Sequence, residues 1–261
     1  MLIPFGFFTS GGGFDEDAQA FFDAAGISDE TQQNAINTLV ESLKEESLWS
    51  KFHAIYPFVG GTATTHKYNL VDPQDTDGAF RLNFVNSPTH SANGVKFGSP
   101  KYADTFLTPS VTMSLNSAAI GFYNRDDISG SNQSQMGVWT SGGILIYARE
   151  AASPRVYQNS TTGGGGNTNA SADGMTQAIR TISTEYSIIR DGALNKTNTF
   201  TANKLGTGSI FLGCTRINAS PSQYIECELA FAYISSGLSI AEAITLYDLV
   251  QTYQTSLSRQ V

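Results

Sequence analysis

Hydrophobic and polar positions near the end of the chain switch period once, and the switch marks two elements. Ile225, Cys227, Leu229, Phe231 and Tyr233 alternate with Glu226, Glu228, Ala230 and Ala232, the period-two signature of a half-buried strand. Beyond the turn at Gly237, Ser239-Ile240-Ala241-Glu242 reads as a capping box, its hydroxyl and carboxylate serving orphan backbone donors. Ile240, Ala243, Ile244, Tyr247, Val250 and Leu257 then share one stripe, while Glu242, Thr245, Asp248, Thr252 and Thr255 face elsewhere. The pattern predicts an amphipathic helix over 240–257, laid on a sheet as a lid.

Helical spacing also governs the first part of the chain. Asp17 to Ala25 predicts a short helix stopped at Gly26, and Ser28 caps a longer one with Asp29 and Glu30 in its first turn. Ile36, Leu39, Val40 and Leu43 form its apolar face. A further turn holds Leu48, Trp49 and Phe52, and Pro57 ends the helical stretch.

From Tyr68 onward the period is that of strands. Expected strands are Lys67–Val71, Ala79–Val85, Val111–Leu115, Ala119–Asn124, Gln135–Thr140 and Ile144–Arg149, then Arg155–Gln158, Ala178–Ile182, Tyr186–Arg190, Ala193–Thr197, Ser209–Ile217 and Gln223–Ile234. Asp191-Gly192 is a two-residue hairpin signal, because both central positions need positive φ. A dozen short strands separated by turns predict a β-sandwich or jelly roll. Residues 158–174, with four consecutive glycines from Gly163 to Gly166, read as a polar surface loop. The expected division is an apolar arm at 1–14, an acidic helical leader at 15–60 and a sandwich over 61–261 with its closing helix.

Composition sharpens this picture. With 261 residues, of which only 15% are charged, the chain can bury roughly 70–75% of its unfolded surface without staples. Its net charge of −8 lies entirely in residues 1–46, which hold nine acids and Lys44; the remainder carries fourteen charges of each sign. A neutral body has no basic footprint to release counterions, which argues against nucleic-acid binding. No run of eighteen apolar residues exists to span a membrane. Met1-Leu2-Ile3-Pro4-Phe5-Gly6-Phe7-Phe8 lacks the basic start of a signal peptide. An apolar terminus of this kind is expected to dock, on its own domain or on a neighbouring subunit, through Leu2, Ile3, Phe5, Phe7 and Phe8. Cys214 and Cys227 could face each other across a hairpin centred near Ala219-Ser220-Pro221; they are read as reduced core cysteines, with a bridge as the alternative.

Catalytic chemistry finds little support in the side chains. Glu226 and Glu228 share one strand face roughly 7 Å apart, the candidate pair for glycosidase chemistry, but they lie opposite Ile225, Cys227 and Leu229 and read as polar residues of a surface or interface. Asp72, Asp75 and Asp77 lack the spacing of a calcium loop, and Pro73 and Gly78 among them read as turn chemistry. His53, His66 and His90 show no zinc spacing, no G-x-S-x-G elbow is present, and no cofactor is implied. Trp139, Tyr147 and Tyr157 are the candidate glycan contacts, since an aromatic face suits the apolar side of a pyranose; cross-strand packing is the competing reading.

Three segments of the body resemble the laminin-G/concanavalin A-like lectin and glucanase superfamily: Tyr186 to Gly192, Ser209-Ile210-Phe211-Leu212-Gly213, and Glu226 to Val250 with its "LS-x-x-E" helix start. A narrower resemblance takes in Asp17 to Phe22, Gly26-Ile27, Gln33 to Ile36, Tyr56 to Gly61, His66 to Leu70 and Asp77 to Leu82. Together these are similar to bacteriophage virion proteins that carry a lectin-like domain behind a helical leader. The resemblance implies a concanavalin A-like jelly-roll sandwich and a non-enzymatic structural role on a virion, at the capsid, collar or tail. Its expected partners are other virion proteins, in a homo-oligomer or multicopy assembly. A glycan-binding adhesion module is the alternative, and a polysaccharide depolymerase the third reading.

Overall fold

A computed structural model of the chain describes residues 13–128 and 130–261. The five arm residues expected to dock, Leu2, Ile3, Phe5, Phe7 and Phe8, lie outside the described residues. The helices are α1 (Glu16–Ala25), α2 (Glu30–Glu45), α3 (Ala63–His66), α4 (Pro109–Thr112) and α5 (Ile240–Ser256). The strands begin with β1 (Phe52–Tyr56), β2 (Asn83–Val85), β3 (Thr89–Ser91), β4 (Gly94–Lys96), β5 (Tyr102–Asp104) and β6 (Ala118–Asn124). They continue with β7 (Met136–Trp139), β8 (Gly143–Glu150), β9 (Ser153–Ser160), β10 (Gly164–Gly165), β11 (Gly174–Arg180) and β12 (Tyr186–Arg190). The last are β13 (Ala193–Asn198), β14 (Phe211–Leu212), β15 (Thr215–Ile217), β16 (Ser220–Ser222) and β17 (Glu228–Ser235).

Among the described residues these strands form two sheets, antiparallel apart from the β7–β15 pair. The first runs β13-β12-β11-β6-β17-β4-β3, with β1 also on β17; the second runs β10-β9-β8-β7-β14-β5-β2, with β15 and β16 beside β7. Ile120, Phe122, Ile188, Ala232 and Ile234 of the first sheet meet Met136, Val138, Ile144, Ile146 and Val156 of the second in one core. The chain is thus a mainly β, jelly-roll-type sandwich with N-terminal helices and a C-terminal helix.

A third layer explains why β6 and β17 are buried on both faces. Ala119, Tyr123, Met175, Ile179, Ile189, Phe231 and Tyr233 point away from the sandwich core. They pack on Phe21, Phe22, Ile36, Leu39, Val40 and Leu43 of α1 and α2, and on Leu246, Val250 and Tyr253 of α5. Each such side chain contributes about 1.5–3 kcal/mol by leaving water. The leader helices and the closing helix therefore cover the same sheet face.

Several expectations hold locally. Gly26 ends α1 at φ 69, donating its N–H to the Phe22 carbonyl, and Ser239 and Glu242 complete a reciprocal capping box. Asp191 and Gly192 take φ 46 and φ 73 in the β12–β13 hairpin.

Others are corrected. The cap of α2 is Asp29, whose carboxylate accepts from Gln32 N; Ser28 stands one residue too early. Lys67–Val71 is not a strand, because the Asn69 side chain braces it: the amide accepts from Ile55 N and donates to the His53 and Ala79 carbonyls. Val111–Leu115 gives way to α4, since Pro109 at the start of the turn favours helix, and Val111 stands 84% exposed. Only Asn83–Val85 of the Ala79–Val85 segment forms a strand. Gly213 at φ 80 breaks the strand expected over Ser209–Ile217, and that expected over Gln223–Ile234 pairs only from Glu228. The loop at 158–174 is partly structural, with Gln158, Asn159 and Ser160 buried and Gly164–Gly165 paired to β9. On α5, Ile240 is exposed, whereas Leu246 and Tyr253 join the buried stripe. β1 and β3–β5 were not anticipated from periodicity, each being short or paired only over long range.

Candidate functional site

The helical layer covers one sheet, and a pocket opens on the outer face of the other. Period-two alternation builds it. On β8, Ile144, Ile146 and Ala148 enter the core, which turns Leu145 and Tyr147 outward. On β9, Val156 points inward, so Arg155 and Tyr157 face out. The register then places Leu145 opposite Tyr157 and Tyr147 opposite Arg155, close enough for cross-strand contact. Trp139 lies at the end of β7, beside Ile217 in the parallel β7–β15 pair.

These residues, with Asn132, Glu150 and Gln223, line a cavity of about 310 Å³. Trp139 and Tyr157 meet edge to face, centroids 4.9 Å apart and planes at 74°, a favoured aromatic geometry. Both rings are partly exposed. Gly137 sits across from Leu145, and a Cβ there would approach the Leu145 Cβ to 2.2 Å. The missing side chain is what lets Leu145 occupy that face.

The polar groups around the rings pair in two sets. Arg155 Nη1 donates to Glu150 Oε2 at 2.8 Å and Nη2 to the Tyr157 hydroxyl at 2.7 Å. The guanidinium also lies 5.3 Å from the Tyr157 ring centroid, within cation–π range. Its pKa is raised, first of all by the hydrogen bond to Glu150, so it stays cationic. Tyr147 Oη donates to Gln223 Oε1 at 2.9 Å. Burial above all, and then the Glu150 charge, push the Tyr147 phenol up, which keeps this donor protonated. Asn132 and Gln223 both sit at φ 55, in the left-handed region.

Of the sequence candidates, Trp139, Tyr147 and Tyr157 are therefore brought together in one cavity. Glu150, Arg155, Ile217 and Gln223 escaped the sequence reading. Arg155 was within reach of the alternation Arg155, Val156, Tyr157. Glu150 was not, because the β8–β9 register shifts between Tyr147 and Glu150, and such a bulge re-aims the side chains beyond it.

The remaining candidates are occupied elsewhere. Glu228 is ion-paired with Arg125 at 2.9 Å, while Glu226 is exposed. Asp75 holds Lys67 and Arg81, and Asp77 holds Arg81. Asp72 accepts from Gln74. Among the described residues no group of three or more His, Cys, Asp or Glu side chains could hold a metal ion. Cys214 and Cys227 are free, buried thiols, and burial pushes both up, away from thiolate chemistry. His66 and His90 touch each other, Nδ1 to Nδ1 at 3.0 Å. No helix among the described residues is long and apolar enough to cross a membrane.

No protein-family model and no curated protein sequence matches the chain. Solved structures do share its fold. A botulinum neurotoxin type C structure, described for a cell entry that depends on interaction with two ganglioside molecules, aligns with TM-score 0.56 and 10% identity over 79% of this chain. The binding domain of Paraclostridial Mosquitocidal Protein 1 gives 0.51 and 8% over 76%. A mutant Trypanosoma rangeli sialidase with trans-sialidase activity gives 0.51 and 10% over 84%. The chain spans 53% and 52% of the two toxin chains and 39% of the sialidase. At such identities the likeness establishes a jelly-roll-type β-sandwich and nothing finer.

Proposed function

We propose that this chain is a glycan-binding module, acting by recognition without bond chemistry, and that its site is the pocket on the outer face of β7, β8 and β9. The observation that carries this reading is the convergence of Trp139, Tyr147 and Tyr157 in one cavity with Glu150, Arg155 and Gln223 at its rim. The lining mixes three aromatic rings with several fixed polar groups, a combination suited to a ligand that is apolar on one side and hydroxylated around its edge. The ring faces would take the C–H side of a pyranose, and the rim its hydroxyls. The ganglioside dependence of one structural neighbour and the sialidase identity of another support carbohydrate as the ligand class. The virion setting and virion partners enter the proposal on the sequence resemblance alone: there the sandwich would be displayed from a capsid, collar or tail, with residues 1–14 as its anchor.

A glycan array followed by solution binding tests the site. Trp139→Ala should weaken the best glycan at least tenfold, with circular dichroism confirming that the variant is folded. Glycan affinity that survives both Trp139→Ala and Tyr157→Ala would remove the assignment.

A further inference from the structure

On the reading that this pocket holds a glycan, we infer that it selects uncharged pyranosides and discriminates against sugars bearing a carboxylate. Recognition of a carboxylate calls for a free guanidinium fork, which offers two parallel N–H groups. Arg155, its side chain 42% exposed, is the one cation among the described lining residues; one of the two N–H groups on each terminal nitrogen is already spent inside the site, and Glu150 balances its charge. Nη1 is held by the Glu150 carboxylate at 2.8 Å and Nη2 by the Tyr157 hydroxyl at 2.7 Å. The Glu150 side chain is only 18% exposed, so water screens its charge weakly, and an incoming carboxylate would meet a like charge a few ångströms away.

What the rim leaves available suits neutral hydroxyls. Glu150 Oε1 has only the distant Asn132 N–H, at 3.4 Å, as a contact among the described residues, so it retains accepting capacity. Gln223 uses Oε1 for Tyr147, and its amide Nε2 donates to no described group. An acceptor and a donor on one rim match neighbouring sugar hydroxyls, each of which donates once and accepts twice. Trp139 supplies the surface for the ring.

The test is titration of matched pairs, a glucoside against its glucuronide and a galactoside against its galacturonide, which differ only by the carboxylate at C6. The wild-type protein should bind the neutral member of the favoured pair at least tenfold more tightly. Glu150→Gln keeps the shape and removes the charge; it should raise uronide binding and shrink or invert that ratio. Arg155→Gln leaves Glu150 unopposed and should widen it. Circular dichroism confirms that both variants are folded. Equal wild-type affinity for the two members, or a ratio that neither variant moves, overturns the selectivity while a Trp139-dependent affinity leaves the glycan site standing. Absence of binding to either member, or binding indifferent to Trp139→Ala, sinks both.

Discussion

At the scale of single residues, the most informative side chain outside the pocket is His66. Its Nε2 accepts from Gly61 N–H at 3.1 Å, so the neutral ring carries its proton on Nδ1. That proton points at His90 Nδ1, 3.0 Å away, which must then be the acceptor. Protonating either ring at the facing or accepting nitrogen breaks the arrangement. Burial pushes His66 from its ordinary 6.5 down to about 3, helped by His90 and Arg259. A depressed folded-state value means the unfolded chain binds the proton more readily, so the contribution is complete above about 6.5 and declines as pH falls toward 3. Between those limits one proton gives a slope of about 1.4 kcal/mol per pH unit. Urea unfolding at pH 7.5 and 5 should show a smaller fall for His66→Gln than for the wild type. Parallel slopes for the two proteins would show that His66 does not control the acid limb. His53, also lowered by burial, remains in the variant and cancels in the comparison, whereas His90 touches His66, so the fall reports the pair.

At the scale of elements, the closing helix rests on a local signal. Ser239 Oγ accepts from Glu242 N while Glu242 Oε2 accepts from Ser239 N, and Glu242 also pairs with Lys51 ahead of β1. Ser239→Ala should cost about 1 kcal/mol in chemical denaturation, as caps of this type do, and Ser239→Asp should restore most of it. A cost near zero for the alanine variant would mean that packing of Leu246, Val250 and Tyr253 alone holds the start of α5. This box was legible in the sequence because all its determinants lie within four residues, and the same holds for Gly26 and for the Asp191-Gly192 turn. Lys67–Val71 was misread because the deciding partner, Asn69, bonds to Ile55, His53 and Ala79, a choice made by tertiary structure. The candidate site divides along the same line. The three aromatic residues could be named from residue type, but their meeting depends on the β7–β8–β9 register, and Glu150 depends on a bulge that no local pattern announces.

At the scale of the whole molecule, three layers give each sheet a different duty. The first sheet is sealed between the sandwich core and the helices, whereas the second keeps its outer face for the pocket. The first sheet and the helical layer are tied together at one corner by Arg259, a residue 1% exposed that forms no ion pair among the described residues. Its guanidinium donates to the Pro57 and Phe58 carbonyls after β1, both at 2.7 Å, to Ala230 of β17 at 2.9 Å, to Ala92 at 3.3 Å, and through Nε to Gln254 of α5 at 2.6 Å. Four carbonyls and one amide oxygen replace the lost hydration, which makes the charge tolerable in place. Arg259→Met keeps much of the volume but leaves those acceptors buried and unpaired, at roughly 1–3 kcal/mol for each group that water cannot reach. Partial relaxation brings the expected total to about 3–5 kcal/mol, read from the urea midpoint. Arg259→Lys should recover little, because an ammonium has three donors and no planar fork. Hydrogen exchange should localise the damage, with protection lost first around Ala230 and along the last turn of α5, while Trp139 and its neighbours on the opposite sheet stay protected. Uniform loss across both sheets would mean that the layers unfold as one unit and that Arg259 is an ordinary member of a single core.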